Sequence, residues 1–262
     1  MKQQTMKSSH LWKSRTGKAH TGALFAAILM LNLSCLPGLA AAAPGNPDDR
    51  HYNDVGFFDI HVCNWPGRPL FFMPLFSTPR FADIDEIEVS YPDGRRLASL
   101  DLSRFRIITN DKQKVEKHAF INQLDVPTGA PEGWYTARIR LKNGEVHEAG
   151  DYVVLSRLPR ATGQVPADGQ EVPAPPGKLA WEPVDGAGFY QVFMRDQWND
   201  DKLIFTSKLL DKPELVLPKG LLEPGGLYTW TIHARDVNED IRLGDFNHGS
   251  MSRPVSFSVG DE

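Results

Sequence analysis

Asp59, His61 and Cys63 stand two residues apart in a stretch that reads as a β-strand. Residues two apart in a strand share a face, so a carboxylate, an imidazole and a thiol line up on one side. Imidazole and thiolate together suit zinc or copper. Two such ligands do not make a site. His51, His118 or His147 would have to approach. The plain alternative is a small buried thiol beside a satisfied histidine. A metal-binding protein centred on His61 and Cys63 is carried as one alternative function, and no metal or other cofactor is assigned.

Other chemistries find less support. Gly249-Ser250-Met251-Ser252 lacks the second glycine and the following helix of a nucleophile elbow. No histidine pair has helical ligand spacing, and no glycine-rich phosphate loop follows a strand. Asp85-Glu86 falls in a hairpin strand and reads as solvated. Asp236, Asn238 and Asp240 open like a calcium loop, but Ile241 occupies the place of the turn glycine and no glutamate closes it. Asp196, Asn199, Asp200 and Asp201 form a second acidic loop, of the kind that stays in water. An active site gathers a nucleophile, a base and an orienting group in one place. The sequence offers no such set and is read as non-enzymatic.

Two segments suit recognition instead. Trp65 to Phe76 is apolar at both strand parities and is broken by Pro66, Pro69 and Pro74, with Pro79 beyond. Prolines confine such a segment to an edge strand or irregular backbone. Either a second domain covers it, or Trp65, Phe71, Phe72 and Met73 serve as anchors for a protein partner. The second segment, Asp236 to Met251, is longer than most connections in compact domains. Its Phe246, Asn247 and His248 either bind a partner or tuck Phe246 under the edge of the domain. Exposed tryptophans at 65, 134 or 198 would give a third alternative, a carbohydrate-binding accessory protein.

The leader sets the compartment. Lys2, Lys7, Lys13, Arg15 and Lys18 precede an apolar run from Gly22 to Leu33 and the small residues Ala40-Ala41-Ala42. This is the layout of a secretory signal peptide over residues 1–42. The apolar run of 12 residues would span only about 18 Å as a helix, short of a hydrocarbon core of about 30 Å. The expectation is a periplasmic or secreted protein with no integral membrane segment after cleavage. Removing five bases leaves 24 against 33 acids, a net charge of −9. That balance argues against nucleic-acid partners. Cys35 leaves with the leader, so Cys63 has no cysteine to pair with inside the chain.

Elements that could position these residues are short and β-like. Residues 43–54 read as loose and 110–117 as a polar loop. Tyr135, Ala137, Ile139 and Leu141 alternate with Thr136, Arg138 and Arg140, the pattern of a half-buried strand. Asn143-Gly144 is a hairpin turn, with a return strand through Tyr152 to Leu155. A second hairpin joins Ile87–Tyr91 to Leu97–Leu102 across Pro92-Asp93-Gly94. Five prolines between Arg157 and Lys178 mark a linker, with a first strand of the next domain beginning near Glu171-Val172.

Beyond that linker, Trp181 and Pro183 are followed by Tyr190 and Val192. Leu222-x-Pro224-x-x-x-Tyr228 then leads into Trp230, Ile232 and Ala234, and Val255 to Val259 closes the series. Residues 165–259 thereby resemble a fibronectin type III domain. The resemblance implies a two-sheet sandwich with Trp181 between the sheets and Tyr228 hydrogen-bonded at a corner. Gly133-Trp-Tyr135-Thr-Ala-Arg-Ile139 aligns with Gly226-Leu-Tyr228-Thr-Trp-Thr-Ile232 at an offset of 93. The repeat supports an immunoglobulin-like sandwich over residues 55–156. The fold expected is all-β, two tandem sandwiches after a signal peptide. The function expected is recognition or scaffolding through protein–protein contacts.

Overall fold

A computed structural model describes residues 49–109, 115–237 and 246–261. The leader, Asn238, Asp240 and Ile241 lie outside them. Among the described residues the only helical element is a single 3-10 turn, Phe81–Asp83, and every other regular element is a strand. No helix there is long and apolar enough to cross a membrane.

The first sandwich comprises β1 (Phe57–Asn64), β2 (Phe71–Thr78), β3 (Ile84–Ser90), β4 (Arg96–Ser99), β5 (Phe105–Thr109), β6 (Val115–Ile121), β7 (Leu124–Asp125), β8 (Gly133–Leu141) and β9 (Val146–Val153). One sheet runs β4-β3-β8-β9; the facing one runs β1-β2-β6-β5, with β7 also on β2. Tyr135, Ala137, Ile139 and Leu141 of β8 point into the core, as their alternation requires, where they join Phe58, Phe72, Phe76 and Phe120. On the other face, Arg140 reaches Asp85 at 2.8 Å and Glu86 at 2.9 Å. The turn at Asn143-Gly144 is present, with Gly144 at φ +90. The return strand starts earlier than the sequence suggests, pairing Val146 with Arg140.

The second sandwich comprises β10 (Gln170–Val172), β11 (Lys178–Ala180), β12 (Phe189–Asp196), β13 (Lys202–Thr206), β14 (Glu214–Val216), β15 (Leu227–Arg235), β16 (His248–Met251) and β17 (Val255–Val259). β11 pairs with β14; facing them, β13-β12-β15 continues into β16 and β17. Trp181 and Trp230 meet in the core, their rings 6.2 Å apart. The Tyr228 hydroxyl accepts the Glu223 N–H at 2.9 Å, closing the corner that the resemblance implies. The first sandwich has a counterpart, for the Tyr135 hydroxyl donates to the Pro131 carbonyl at 2.8 Å.

The two sandwiches share a sheet. β16 lies antiparallel to β15 on one side and parallel to β1 on the other, with Val62, Cys63 and Asn64 opposite His248, Gly249 and Ser250. Strands thus follow one another from β13 through β12, β15, β16, β1, β2 and β6 to β5. Every residue of β1 is buried, because it has neighbours at both edges and cover on both faces. The linker is pinned across this seam. The Asn64 amide donates to the Leu158 carbonyl at 2.9 Å, and the Ser250 hydroxyl to the Pro159 carbonyl at 2.6 Å.

Three expectations are corrected. The proline-rich segment after Trp65 is no edge: β2 sits between β1 and β6. Pro74 is tolerated there because its nitrogen faces the gap between β6 and β7, where the Asn122 N–H meets the Pro74 carbonyl at 3.1 Å. Residues 115–117 belong to β6 rather than to a loop. Residues 49–54 are held rather than loose. The His51 carbonyl accepts the Phe58 N–H at 2.8 Å, and the Arg50 carbonyl accepts the Gly150 N–H at 2.7 Å.

Candidate binding face of the joined sheet

Alternation along β1 sends Phe58, Ile60 and Val62 into the first core and leaves Asp59, His61 and Cys63 on the outer face. Register extends that face in both directions. Met73 of β2 lies opposite His61, Leu75 opposite Asp59, and Ile121 of β6 opposite Leu75. On the other side Gly249 lies opposite Cys63, Arg235 opposite Gly249, and Gln191 of β12 opposite His233. The face crosses from one sandwich to the other without a break.

Phe246 sits on it, 2 % exposed. Its ring stacks on His61 at 3.7 Å and meets the edge of His233 at 5.1 Å. Gly249 makes room for it: a Cβ there would lie 2.5 Å from the Phe246 ring and 2.7 Å from His233 Nε2. Beneath the ring, His61 Nε2 bonds Asp59 Oδ2 at 2.7 Å, both side chains buried. Burial, and then the nearby Arg235 and His61, press the His233 pKa far below its ordinary value, so its imidazole is neutral. Arg235 bonds the Gln191 amide oxygen at 2.8 Å, and burial lowers its guanidinium to about 10.

Around this plug runs a groove of about 650 Å³, lined by both sandwiches. Trp65, Met73 and Ile121 contribute from one, and Phe193, Thr206 and Met251 from the other.

The candidate residues part company here. Trp65 and Met73 line the groove, half-buried. Phe71 and Phe72 are fully buried and cannot anchor a partner, which corrects that expectation. Phe71 lies under the Trp65 ring and the Arg68 guanidinium, at 5.0 and 3.6 Å. Phe72 packs on Tyr135 in the core. Phe246 tucks under, as one of its two readings had it. Asn247 is exposed, and its carbonyl accepts the Val62 N–H at 2.8 Å.

His61 and Cys63 do share a face, but burial pushes the Cys63 thiol up to about 12, away from the thiolate a metal needs. Among the described residues, no three His, Cys, Asp or Glu side chains gather as a metal-binding group. Of the tryptophans, Trp134 is capped by Arg50 at 4.1 Å, and Trp198 is exposed on the turn after β12.

Sequence reasoning missed two histidine clamps. His248 Nδ1 bonds Asp236 at 2.7 Å, while Nε2 meets the Val154 carbonyl at 2.8 Å and the Ser156 hydroxyl at 2.9 Å. The hydrogen bond to Asp236 raises the His248 pKa. Ser156, His248 and Asp236 thus fall in the order of a hydrolytic triad. A triad histidine needs a bare Nε2 to take the serine proton, whereas this one donates from Nε2 to a carbonyl and from Nδ1 to a carboxylate. The arrangement ties the linker to β16. The second clamp is His51, which bonds Asp49 at 2.6 Å and Asp151 at 3.1 Å. The hydrogen bond to Asp151, with Asp49 adding to it, raises its pKa to about 9. No short-range signal marks either clamp, because Asp151 is 100 residues from His51 and Ser156 is 92 from His248.

No family model and no curated protein matches the chain. Similar solved structures include dimeric latent PorU from Porphyromonas gingivalis, at 13 % identity and TM-score 0.29, matching 84 % of this chain but only 22 % of that one. They also include titin domains A168–A170 (12 %, TM-score 0.24, 75 % of this chain and 62 % of that one) and a cytokine receptor complex (13 %, TM-score 0.30, 76 % and 99 %). All three scores lie below 0.5, and the sandwich architecture rests on the strand order described above.

Proposed function

We propose that this chain is an exported, non-enzymatic recognition protein that holds a protein partner against the outer face of its joined sheet. One observation carries the reading. A groove of about 650 Å³ lined by both sandwiches lies on that face, and aromatic and aliphatic side chains, Trp65, Met73, Ile121 and Phe193 half-buried among them, alternate there with polar groups. Ligand sites favour such a lining. The seam between β1 and β16 supports it further, since a partner seated there meets one continuous surface rather than two hinged domains. Export, to the periplasm or beyond, rests on the leader of residues 1–42.

The test uses the processed protein as bait in an envelope extract, beside a Met73→Glu/Phe193→Glu variant shown by circular dichroism to be folded. A partner captured by the first and lost by the second supports the reading. Equal capture by both removes the groove as the site. N-terminal sequencing of the exported protein checks the leader, with Ala43 expected as the first residue.

A further inference from the structure

The groove differs in charge from the chain that forms it. Among the described residues no Asp or Glu lines it, although the chain has 33 acids against 29 bases. At its first-sandwich end stand Arg104 and Arg106. Arg106 of β5 lies opposite Ala119 of β6, and the Arg104 carbonyl accepts the Ile121 N–H at 3.0 Å. Residues two apart share a face, and this one is the face of Ile121, Leu75 and Met73. Both arginines are exposed, and neither forms an ion pair with a described residue. Asp101 feels the charge of Arg104, but its carboxylate accepts the Ser103 hydroxyl at 2.6 Å.

Register then fixes the order of chemistry across the face. From β5 toward β13 come the two guanidiniums, the aliphatic side chains of Ile121, Leu75 and Met73, and the Phe246–His61 stack. The Gln191 amide and Phe193 follow. We infer that this groove takes a short acidic segment of a protein partner, its carboxylates on Arg104 and Arg106 and a neighbouring apolar side chain against Met73 and Ile121. The inference rests on the reading of the groove as a protein-binding site and names the chemistry of what enters it.

Guanidinium groups bind carboxylates through paired hydrogen bonds, and burying the apolar neighbour adds the nondirectional part of the affinity. The volume of about 650 Å³ is that of a small-ligand site, so it accepts a stretch of chain rather than a folded domain. A glycan fits less well, because Ile121 and Met73, which follow the arginines across the sheet, offer no flat face for a sugar to stack on. Nucleic acid fits worst, since the chain as a whole is negative.

The experiment is fluorescence polarisation on the processed protein, with a short labelled peptide that carries glutamates beside a Leu-Phe pair. Its lysine counterpart and a version with serines in place of Leu-Phe serve as controls. The acidic peptide is expected to bind, more weakly as salt rises. Both controls, and the Arg104→Glu/Arg106→Glu variant, are expected to lose about tenfold or more in affinity. These arginines are exposed, so the variant should keep the parent circular dichroism and melting temperature. Equal binding of acidic and basic peptides overturns the inference, as does binding unaffected by the charge reversal. Retention of heparin by the arginines without peptide binding also overturns it, in favour of an anionic glycan. If the captured partner is lost on Met73→Glu/Phe193→Glu but kept on Arg104→Glu/Arg106→Glu, the acidic ligand is wrong and the protein-binding groove stands. If neither variant loses it, both fail.

Discussion

The two sandwiches solve the same packing problem from opposite sheets. Each enters a strand through Gly-x-Tyr and pins the tyrosine hydroxyl to backbone a few residues upstream. Two positions beyond each tyrosine the chain faces the core, at Ala137 in the first sandwich and Trp230 in the second, both with no exposure. In the second sandwich the bulk therefore comes from β15 itself. In the first it comes from the facing sheet, through Phe58, Phe72, Phe76 and Phe120. Native packing density leaves no room for two large residues at one place, so the small Ala137 and the four phenylalanines belong together. The sheet that carries those phenylalanines is also the one that runs on into the second sandwich.

The strongest test of that contrast removes the bulk from each side in turn. Phe72→Ala and Trp230→Ala should each cost about 3–5 kcal/mol. Because β1 and β16 are paired, both variants are expected to lower one shared transition in calorimetry. Two separable transitions would show that the seam does not couple the sandwiches. Next in size is Gly249→Ala at the seam, where a methyl group would collide with Phe246 and His233. Overpacking between two rings fixed by other contacts should cost about 3 kcal/mol, read as a lower denaturation midpoint.

The two histidine clamps differ in strength, and pH separates them. The His51 pKa is raised in the folded state from 6.5 to about 9. Its stabilisation is thus fully present below pH 6.5 and is lost as pH rises through about 9. The full rise is worth about 3 kcal/mol, and because the His51 imidazole is partly exposed, solvent screening leaves about 2 kcal/mol or less to disappear across that window; His51→Gln should flatten the profile. His248 shifts in the same direction, so any slope left in His51→Gln should vanish in the double variant with His248→Gln. The smallest effect compares the corners. Tyr228→Phe orphans the Glu223 N–H, while Tyr135→Phe removes a donor from the Pro131 carbonyl. Both should cost about 1 kcal/mol, the first more than the second, because an unpaired N–H is tolerated less well than a carbonyl.

What could be read beforehand was whatever local pattern encodes. The alternation of β8, the turn at Asn143-Gly144 and the Trp181–Tyr228 spacing all depend on neighbours in the chain, and all are present in the structure. Phe71, Phe72 and Pro74 misled because composition reports apolarity and missing donors but not which strands lie alongside. Only the gap between β6 and β7 makes Pro74 acceptable inside a sheet. The groove was half legible. Trp65 and Met73 stood out as aromatic and apolar, whereas nothing in the sequence singles out Arg104 and Arg106, which only register sets beside Ile121. The clamps and the seam join residues about a hundred or more positions apart, and no sequence window reaches that far.

The pairing of Val62 with His248 also sets a timetable. A chain made from its N-terminus presents β1 nearly its whole length before β16 exists. Until then one edge of β1 has no hydrogen-bonding neighbour, and its outer face lacks the Phe246 ring. Contacts this distant in sequence form slowly, and an open apolar edge recruits other strands while it waits. The first sandwich is therefore expected to mature only once β16 arrives, and a chain cut short before Phe246 should aggregate, read as loss from the soluble fraction, rather than persist as a half-sized domain.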